Sequence, residues 1–489
     1  MEKNIIGRET EKRTLEQILN SPNAEFLAIY GRRRVGKTHL IREFFEGKGL
    51  FFELTGQKDA GLKTQLQNCY RSIQEIFKPQ LPLKIPESWK DAFYILTKLM
   101  ESQPEKEKKI VFFDELPWLS SRRSGLLQAL DYEWNHKWSK LNNCVLITCG
   151  SAASWVIDNL INAKGGLHNR ITQIINLRPF SLSESDQYLR SRGIRLKKHQ
   201  LLDLYMVMGG IPHYLNLVAK GKSSVQITNE LCFQEAGYLY SEFPRLSKSL
   251  FDQAEVHDRI IREIVKKRNG ISRNDLLQAT GIKTGGTFRK RLNELKESGF
   301  IGEYVPYGKS KKTFFIKVID EYTLFYLHWI EPIKNQMAIG YNPNYWLNAF
   351  KAPKYQSWSG YAFEAICMKH IAQILACLKL DGLSIEIGSW RYIPPVKSKE
   401  KGAQVDLLID RTDNCINLCE IKYSNKIYSI TKDYAKNLAN KITVFSEKSK
   451  TKKQVFLTMI TTMGIKKNIW SEDLVSSEIL LADLFKNLR

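Results

Sequence analysis

Two stretches of the sequence carry residue types and spacings that suit phosphate and metal chemistry. The first is GRRRVGKT, at residues 31–38. Glycines at its start and near its end let the backbone curl, so that its N–H groups face phosphate oxygens. A lysine at this spacing reaches the β- and γ-phosphates, and the threonine hydroxyl after it ligates Mg²⁺. The pattern predicts a nucleotide site made by Gly31, Arg32, Arg33, Arg34, Val35, Gly36, Lys37 and Thr38.

Two acids and a serine follow apolar runs farther along the chain. Asp114 and Glu115 come directly after IVFF, and Ser151 follows VLITC by two residues. In enzymes with such a loop, the first acid holds the Mg²⁺ shell and the second orients the attacking water. Ligands bind at the carboxyl edge of doubly wound sheets, so Ser151 is a candidate sensor of the γ-phosphate. Capping of the next helix is the alternative role for Ser151.

The second stretch is VDLLIDRTDNCINLCEIKYS, at residues 405–424, where charged residues interrupt apolar runs. Two strands around the TDN turn predict a hairpin. If the hairpin is symmetric about Asp413, Asp406 lies opposite Glu420. The two-residue period of a strand places Lys422 on the same face as Glu420.

Facing carboxylates repel each other unless a cation lies between them, and Lys422 offsets only part of that charge. A Mg²⁺ ion bound by Asp406 and Glu420 would supply the remainder and could activate a water against a phosphodiester. Lys422 would then orient that water or contact a phosphate oxygen. A plain salt bridge between Lys422 and either acid is the alternative.

The elements that must position the first stretch are also readable. FLAIY, at residues 26–30, is an apolar run typical of a buried parallel strand, and HLIREFFEG after the loop predicts an amphipathic helix. Strand, loop and helix in this order are the context that the phosphate loop requires.

The order of motifs in the first half resembles prokaryotic AAA-like ATPases related to the STAND group, which are also common in archaea. The resemblance rests on GRRRVGKT, VFFDELPWL, CGSAASW, HNRITQIINLRPF and GGIPHYL. It implies that Arg170 acts as an arginine finger, in cis or in trans, or as an intramolecular sensor. It also implies that Pro212 of a helical lid packs near the adenine, and that Gly7, Arg8 and Glu9 form the entry motif beside the base.

Helical patterns at residues 257–270, 272–281 and 287–300, followed by two strand-like runs, predict a winged helix. The third helix would be the recognition helix, and the wing tip would contact phosphate. A domain-packing role with a solvated basic face is the alternative. The basic residues concerned are Arg289, Lys290, Arg291 and Lys296 on the helix, and Lys309, Lys311 and Lys312 on the wing.

The pattern D-x13-E-I-K from Asp406 to Lys422 resembles the PD-(D/E)XK restriction-endonuclease superfamily. The resemblance implies a core in which a helix at residues 358–375 supplies Glu364 as a further acid and IEIGSWRY forms the first strand. The proline of the family name is absent, since Gln404 and Val405 precede Asp406.

The bulk composition suits a partner that is a polyanion. The chain has 489 residues, with 74 Lys and Arg against 51 Asp and Glu, a net charge of +23. This favours nucleic acid or an acidic membrane surface. Eight scattered cysteines without a CxxC pair, and the lack of a secretory h-region or an uninterrupted apolar span, predict a cytoplasmic protein that does not cross a membrane.

These patterns together predict an α/β multidomain chain. We expect a P-loop ATPase core at residues 1–180, a helical lid at 181–250, a winged helix at 251–320 and a restriction-endonuclease-like α/β domain at 321–489. The cofactors would be ATP and Mg²⁺, and the partners DNA and further copies of the chain. ATP turnover would be coupled to metal-dependent DNA cleavage. A nucleotide-switched DNA-binding regulator without nuclease activity and an ATP-driven signalling scaffold are the alternatives.

Overall fold

The computed structural model describes residues 5–79, 83–121, 123–162, 167–251, 253–282, 286–310, 313–338, 344–395, 398 and 400–487. Within it the chain divides into two compact units. The first comprises Met1–Pro179, Leu250–Asp252 and Lys290–Gly299, and the second comprises Phe180–Ser249, Gln253–Arg289 and Phe300–Arg489. The finer division into four domains stays a prediction.

A five-stranded parallel sheet forms the centre of the first unit, as the sequence predicts. Its strands are β1 (Glu25–Tyr30), β2 (Leu50–Thr55), β3 (Lys109–Asp114), β4 (Cys144–Gly150) and β5 (Gln173–Asn176). Their order is β2-β3-β4-β1-β5, and neighbouring strands in this order pair in parallel. All residues of β3 and β4 are buried, which explains why both strands read as continuous apolar runs.

Seven helices accompany this sheet along the chain. They are α1 (Glu9–Asn20), α2 (Lys37–Phe45), α3 (Leu62–Phe77), α4 (Trp89–Glu101), α5 (Leu116–Leu119), α6 (Leu126–His136) and α7 (Ala153–Val156). Aromatic rings fill the core between sheet and helices: Phe93 lies 5.6 Å from both Phe113 and Trp138, measured between ring centroids. This packing fixes β3, and with it Asp114 at its end and Glu115 directly after it.

The following helices are α8 (Leu182–Ser191), α9 (Lys198–Met208), α10 (Pro212–Leu215), α11 (Ser224–Cys232), α12 (Glu242–Leu250), α13 (Ala254–Val265), α14 (Arg273–Thr280), α15 (Gly286–Glu297), α16 (Glu321–Phe325), α17 (Lys334–Ala338), α18 (Tyr345–Ala349), α19 (Pro353–Lys369) and α20 (Ile371–Cys377). The predicted helix at 358–375 is broken at His370, where α19 ends and α20 begins.

A small sheet of three strands lies in the second unit. It consists of β6 (Ile271–Ser272), β7 (Ile301–Tyr304) and β8 (Phe315–Val318), in the order β6-β8-β7. Helices α13, α14 and α15 precede the hairpin of β7 and β8, which is the element order that a winged helix requires. The winged-helix assignment itself stays a prediction.

A mixed five-stranded sheet forms the C-terminal part of the second unit. Its strands are β9 (Ile385–Tyr392), β10 (Ala403–Arg411), β11 (Cys415–Lys422), β12 (Gln454–Thr461) and β13 (Ser477–Leu480). Strands β9, β10 and β11 run antiparallel, whereas β11, β12 and β13 are parallel. Helix α19 packs against β11, and α21 (Lys432–Ser449) packs against β10; α22 (Ile469–Leu474) completes the helices.

One buried carboxylate joins three distant segments of the second unit. Asp203 of α9 accepts hydrogen bonds from the hydroxyls of Tyr355 at 3.2 Å, Tyr423 at 2.8 Å and Ser224 at 3.2 Å. Tyr355 lies on α19, and Tyr423 follows the last residue of β11. A buried charge needs such donors, so these contacts hold α9, α19 and the end of β11 together.

All eight cysteines carry free thiols. In the part of the chain that the structure describes, no helix has both the length and the apolarity needed to cross a lipid bilayer.

The glycines of the second unit allow a test of its packing. A Cβ at Gly210 would lie 1.8 Å from the Phe180 carbonyl oxygen, so Gly210→Ala should destabilise the protein by about 1–3 kcal/mol. Gly360, inside α19, has open space around its Cα, and Gly360→Ala should stabilise by about 0.5–1 kcal/mol. Calorimetric unfolding midpoints measure both effects. Equal shifts for the two variants would contradict the packing described here.

Candidate functional site

The phosphate loop connects β1 to α2, and its glycines adopt conformations that other residues avoid. Gly31 has φ of 144°, and a Cβ there would lie 2.3 Å from the Leu177 carbonyl oxygen. Gly36 has φ of 92° directly before α2. The Lys37 ammonium donates to the carbonyl oxygens of Gly31 at 2.9 Å and Arg32 at 3.1 Å. The lysine is thus buried over the loop, where a nucleotide's phosphates would meet it.

Thr38 and Asp114 meet at the end of β3. The Thr38 hydroxyl lies 3.1 and 3.0 Å from the two carboxylate oxygens of Asp114. Burial raises the pKa of Asp114, and the neighbouring charge of Glu115 acts in the same direction. A hydroxyl and a buried carboxylate in contact are oxygen ligands of the kind that Mg²⁺ prefers, so these two residues fit the predicted Mg²⁺ role.

Ser151 fixes the orientation of Glu115. Its backbone N–H and its hydroxyl both donate to Glu115 Oε2, at 3.0 and 2.8 Å. Ala152, not Ser151, is the N-terminal cap of α7, so the helix-capping alternative for Ser151 is wrong. Glu115 has φ of 48°, a left-handed conformation that places its side chain beside the carboxyl ends of β3 and β4.

Arginines support the phosphate loop from two sides. The buried Arg8 guanidinium donates to the carbonyl oxygens of Val35 at 3.1 Å and Arg178 at 2.7 Å. The Arg33 guanidinium lies 6.0 Å from the centre of the Trp118 ring, within cation–π range. Arg34 has φ of 73°, whereas Arg32 and Val35 are buried. These contacts stabilise the curled conformation of the loop.

The residues implied by the ATPase resemblance lie in two different units. Arg170 is exposed at the end of the short turn His168–Arg170 in the first unit. Pro212 is the first residue of α10 in the second unit. Their roles toward the nucleotide stay predictions.

The hairpin of β10 and β11 has the predicted register. Leu407 pairs with Cys419 and Leu408 with Leu418, and continuing this register by one residue sets Asp406 opposite Glu420. The Ile421 amide donates to Asp406 Oδ2 at 3.3 Å. The pairing of β10 with β9 shifts between Val405 and Leu408. Such bulges redirect side chains next to active sites, and this one falls on Asp406.

Glu420 is buried and fully engaged. Its Oε1 accepts from the Tyr434 hydroxyl at 2.6 Å and lies 2.9 Å from the Lys422 ammonium. Its Oε2 lies 2.6 Å from the Lys441 ammonium. Burial raises the pKa of a carboxylate, but the two lysines outweigh burial and hold the pKa of Glu420 below its ordinary value.

Glu364 on α19 lies near Asp406 and faces cations from the small sheet. Burial raises the pKa of Glu364 to about 7, and the charge of Asp406 adds to this effect. Arg268, just before β6, lies 3.6 Å from Glu364 Oε1, and Lys317 on β8 interacts electrostatically with Glu364 and Asp406. The structure thus brings Glu364, Asp406, Glu420 and Lys422 into one electrostatic cluster.

The sequence predicts a metal ion because Lys422 alone offsets only part of the negative charge of the facing carboxylates. In the structure, protein cations offset the rest of this charge. Lys422 is joined by Lys441, Arg268 and Lys317, so the three acids face four cations. Among the residues that the structure describes, no three His, Cys, Asp or Glu side chains form a group that could hold a metal ion. The metal role of Asp406 and Glu420 therefore stays a prediction.

The partners of these acids were not predicted from the sequence. Tyr434 and Lys441 are seven residues apart on α21, a spacing that places them on one helix face. A tyrosine and a lysine seven residues apart on the helix after an E-x-K strand are a sequence signal that could have predicted these contacts with Glu420. No comparable signal marks Arg268 or Lys317, because their approach to Glu364 depends on how the small sheet packs.

The basic residues assigned to DNA contact vary in exposure. Arg289, Lys290 and Lys296 are exposed on α15, whereas Arg291 pairs with Glu294 at 2.8 Å. Lys309 is exposed in the loop after β7, and Lys311 and Lys312 lie outside the described residues. In the same loop, Tyr307 donates its amide to the Ser389 carbonyl oxygen at 2.9 Å and its hydroxyl to Asp410 at 2.8 Å. This loop is thus docked on β9 and β10 through Tyr307.

Comparison with known proteins finds a family match at residues 5–218, to an ATPase domain predominantly from Archaea. An uncharacterized protein of Methanocaldococcus jannaschii is 23% identical over 430 residues, covering 86% of this chain and 88% of that protein. An uncharacterized ATP-binding protein of the same organism is 46% identical over 44 residues, or 9% of this chain and 75% of that protein. The Walker-type ATPase of Pyrococcus abyssi is similar in structure, with a TM-score of 0.47 at 23% identity, over 65% of this chain and 95% of that chain.

The family match confirms the coarser part of the sequence prediction. Residues 5–218 are an ATPase domain, and they include Lys37, Thr38, Asp114, Glu115 and Ser151. The match ends before α11, so it says nothing about the C-terminal sheet.

The network around Glu420 yields a stability prediction. Lys441→Met removes one partner of a buried carboxylate and should cost about 1–3 kcal/mol of unfolding free energy. Lys448, one heptad later on α21, pairs with Glu400 at the surface, so Lys448→Met should change little. Urea unfolding followed by circular dichroism compares the two. If Lys448→Met destabilises as much as Lys441→Met, the burial argument for Glu420 is wrong.

Proposed function

We propose that this chain, whose residues 5–218 form an ATPase domain, couples ATP hydrolysis to Mg²⁺-dependent DNA cleavage by its C-terminal mixed sheet. The nucleotide state would control the cutting. The observation that carries the cleavage half is the register that sets Asp406 opposite Glu420, with Lys422 2.9 Å from Glu420 and with Glu364 of α19 interacting electrostatically with Asp406.

Residues of the first unit suit ATP hydrolysis. The loop amides and Lys37 would bind the triphosphate, and Thr38 with Asp114 would hold Mg²⁺. Mg²⁺ supplies neutralisation of the charge that develops on the phosphate oxygens. Glu115, oriented by two hydrogen bonds from Ser151, would accept a hydrogen bond from the attacking water. Arg170 would add a positive charge near the γ-phosphate, from the same chain or from another copy.

Residues of the second unit suit recognition of a phosphodiester. Helix α19 carries Glu364 and lies before β9 (Ile385–Tyr392) in the chain, and this element order supports the proposal. Asp406 and Glu420 would hold Mg²⁺, and Glu364 would supply a further carboxylate oxygen beside the ion. Lys422 would orient the water or bind a phosphate oxygen. The net charge of +23 favours a polyanionic substrate.

One observation favours a second candidate, a nucleotide-switched DNA-binding regulator that does not cut. Both oxygens of Glu420 already have cationic or hydroxyl partners, and Glu364 faces Arg268. A carboxylate that is satisfied by protein groups is less available to a metal ion.

Nucleotide turnover provides the first test. Lys37→Ala should abolish tight ATP binding, whereas Glu115→Gln should retain binding but lower hydrolysis by about a hundredfold or more. Filter binding measures the first property, and phosphate release measures the second. Lys63→Ala, at an exposed lysine of α3, is the control and should behave like the wild type. Wild-type turnover by Glu115→Gln would remove Glu115 from the reaction.

DNA cleavage provides the second test. Supercoiled plasmid is incubated with Mg²⁺ or Mn²⁺, with and without ATP. We expect the wild type to nick or cut the plasmid. Asp406→Asn should abolish cleavage, because Glu420 cannot hold the metal alone. Cleavage by Lys37→Ala should no longer depend on ATP. Asp413→Asn, in the exposed turn of the same hairpin, is the control and should cut normally. Plasmid that is bound but never cut under either metal would favour the non-cutting regulator.

A further inference from the structure

The acids of the C-terminal sheet are neutralised from two sources. Lys422 and Lys441 belong to β11 and α21, and both contact Glu420. The other two cations, Arg268 and Lys317, come from the small sheet and its adjoining turn, and they face Glu364 and Asp406. The acid pair nearest to the bulge in β10 therefore depends on residues outside the C-terminal sheet.

Both of these cations are held in place by aromatic rings. The Arg268 guanidinium lies 5.3 Å from the centre of the Tyr361 ring, one turn before Glu364 on α19. The Lys317 ammonium lies 4.5 Å from the centre of the Tyr304 ring, across the β7–β8 hairpin. Such contacts orient a cation without neutralising it, so its charge stays directed at the carboxylates.

A separate anchor fixes the small sheet on the C-terminal sheet. Tyr307 bonds to Ser389 on β9 and to Asp410 on β10, and its ring lies 5.9 Å from that of Phe445 on α21. These contacts of Tyr307 attach the small sheet to the C-terminal sheet at this edge.

We propose that the small sheet and the turn before it form an electrostatic mask, in which Arg268 and Lys317 supply the positive charge that a divalent cation held by Asp406 and Glu420, beside Glu364, would otherwise supply. Mg²⁺ loading then requires the small sheet to withdraw from β9 and β10. This rests on the proposed function, because it assumes that these acids are a metal site. It adds that the site is closed in the conformation described here.

The mask follows from the Coulomb energy of like charges at short range. A divalent ion near Glu364 would be repelled by two protein cations. Lys317 and Glu364 are partly buried, which weakens screening by water, whereas Arg268 is half exposed and is screened more. Removing either positive charge should therefore tighten metal binding, by roughly tenfold for each cation. A merely structural role for Arg268 and Lys317 predicts the opposite, since their loss would leave the acids less well ordered.

The test measures Mn²⁺ affinity by calorimetry on the full chain without nucleotide. Arg268→Gln, Lys317→Met and the double variant remove the charges and keep much of each side-chain stem. The control is Arg273→Gln with Lys309→Met, which removes two exposed cations beside the same strands. Each background is repeated with Asp406→Asn, so that only the heat lost with Asp406 is assigned to this site. Arg268→Gln alone, at a half-exposed rim position, serves if the double variant does not fold.

We expect the single variants to bind Mn²⁺ about tenfold more tightly than the wild type, and the double variant more tightly still, whereas the control matches the wild type. Unchanged or weaker binding in the charge-removal variants would overturn the mask, as would an absence of Asp406-dependent binding in all of them. The plasmid assay separates this from the proposed function. If the charge-removal variants bind Mn²⁺ more tightly but no protein cleaves DNA, the mask is supported and the nuclease function is wrong. If DNA is cleaved but the variants bind Mn²⁺ as the wild type does, the nuclease function is supported and the mask is wrong.

Discussion

Asp406 and Glu420 face each other across β10 and β11, and the rest of the C-terminal half is arranged around the charge that this creates. Two carboxylates side by side in a partly buried position are unstable without positive partners. Helix α21 brings Lys441 and Tyr434 to Glu420, and β11 contributes Lys422. The small sheet brings Arg268 and Lys317 to the other side. The packing of α21 and of the small sheet therefore determines how the charges of Asp406 and Glu420 are neutralised.

The electrostatics of the first unit are of the opposite kind, because its phosphate loop must attract negative charge. Backbone amides, a buried lysine and the carboxyl edge of a parallel sheet supply that attraction with few charged side chains. Buried aromatic residues hold β3 in place, and Ser151 holds Glu115. One unit thus presents a loop and a lysine that suit an anion, and the other presents acids that protein cations neutralise.

Local pattern predicted what depends on neighbours in sequence. Continuous apolar runs gave β1, β3 and β4 because a strand buried on both faces has no polar alternation. The symmetric turn at Asp413 predicted the register of Asp406 and Glu420. The partners of these acids could not be predicted in the same way. Arg268 and Lys317 reach Glu364 only through tertiary packing, and the bulge at Asp406 arises from the pairing of β10 with β9. The break at His370 was also hidden, since both sides of it read as one helix.

The hydrogen bonds of Asp203 limit how far this chain can be divided. A fragment that begins after α16 would keep Tyr355 and Tyr423 but lose their shared acceptor, leaving two hydroxyls to find new partners inside an apolar environment. The C-terminal sheet would then lack the hydrogen bond from Tyr423, the residue next to Lys422, to Asp203. Excising that sheet as a separate module would therefore change the geometry at Lys422, and its properties in isolation would differ from those in the intact chain.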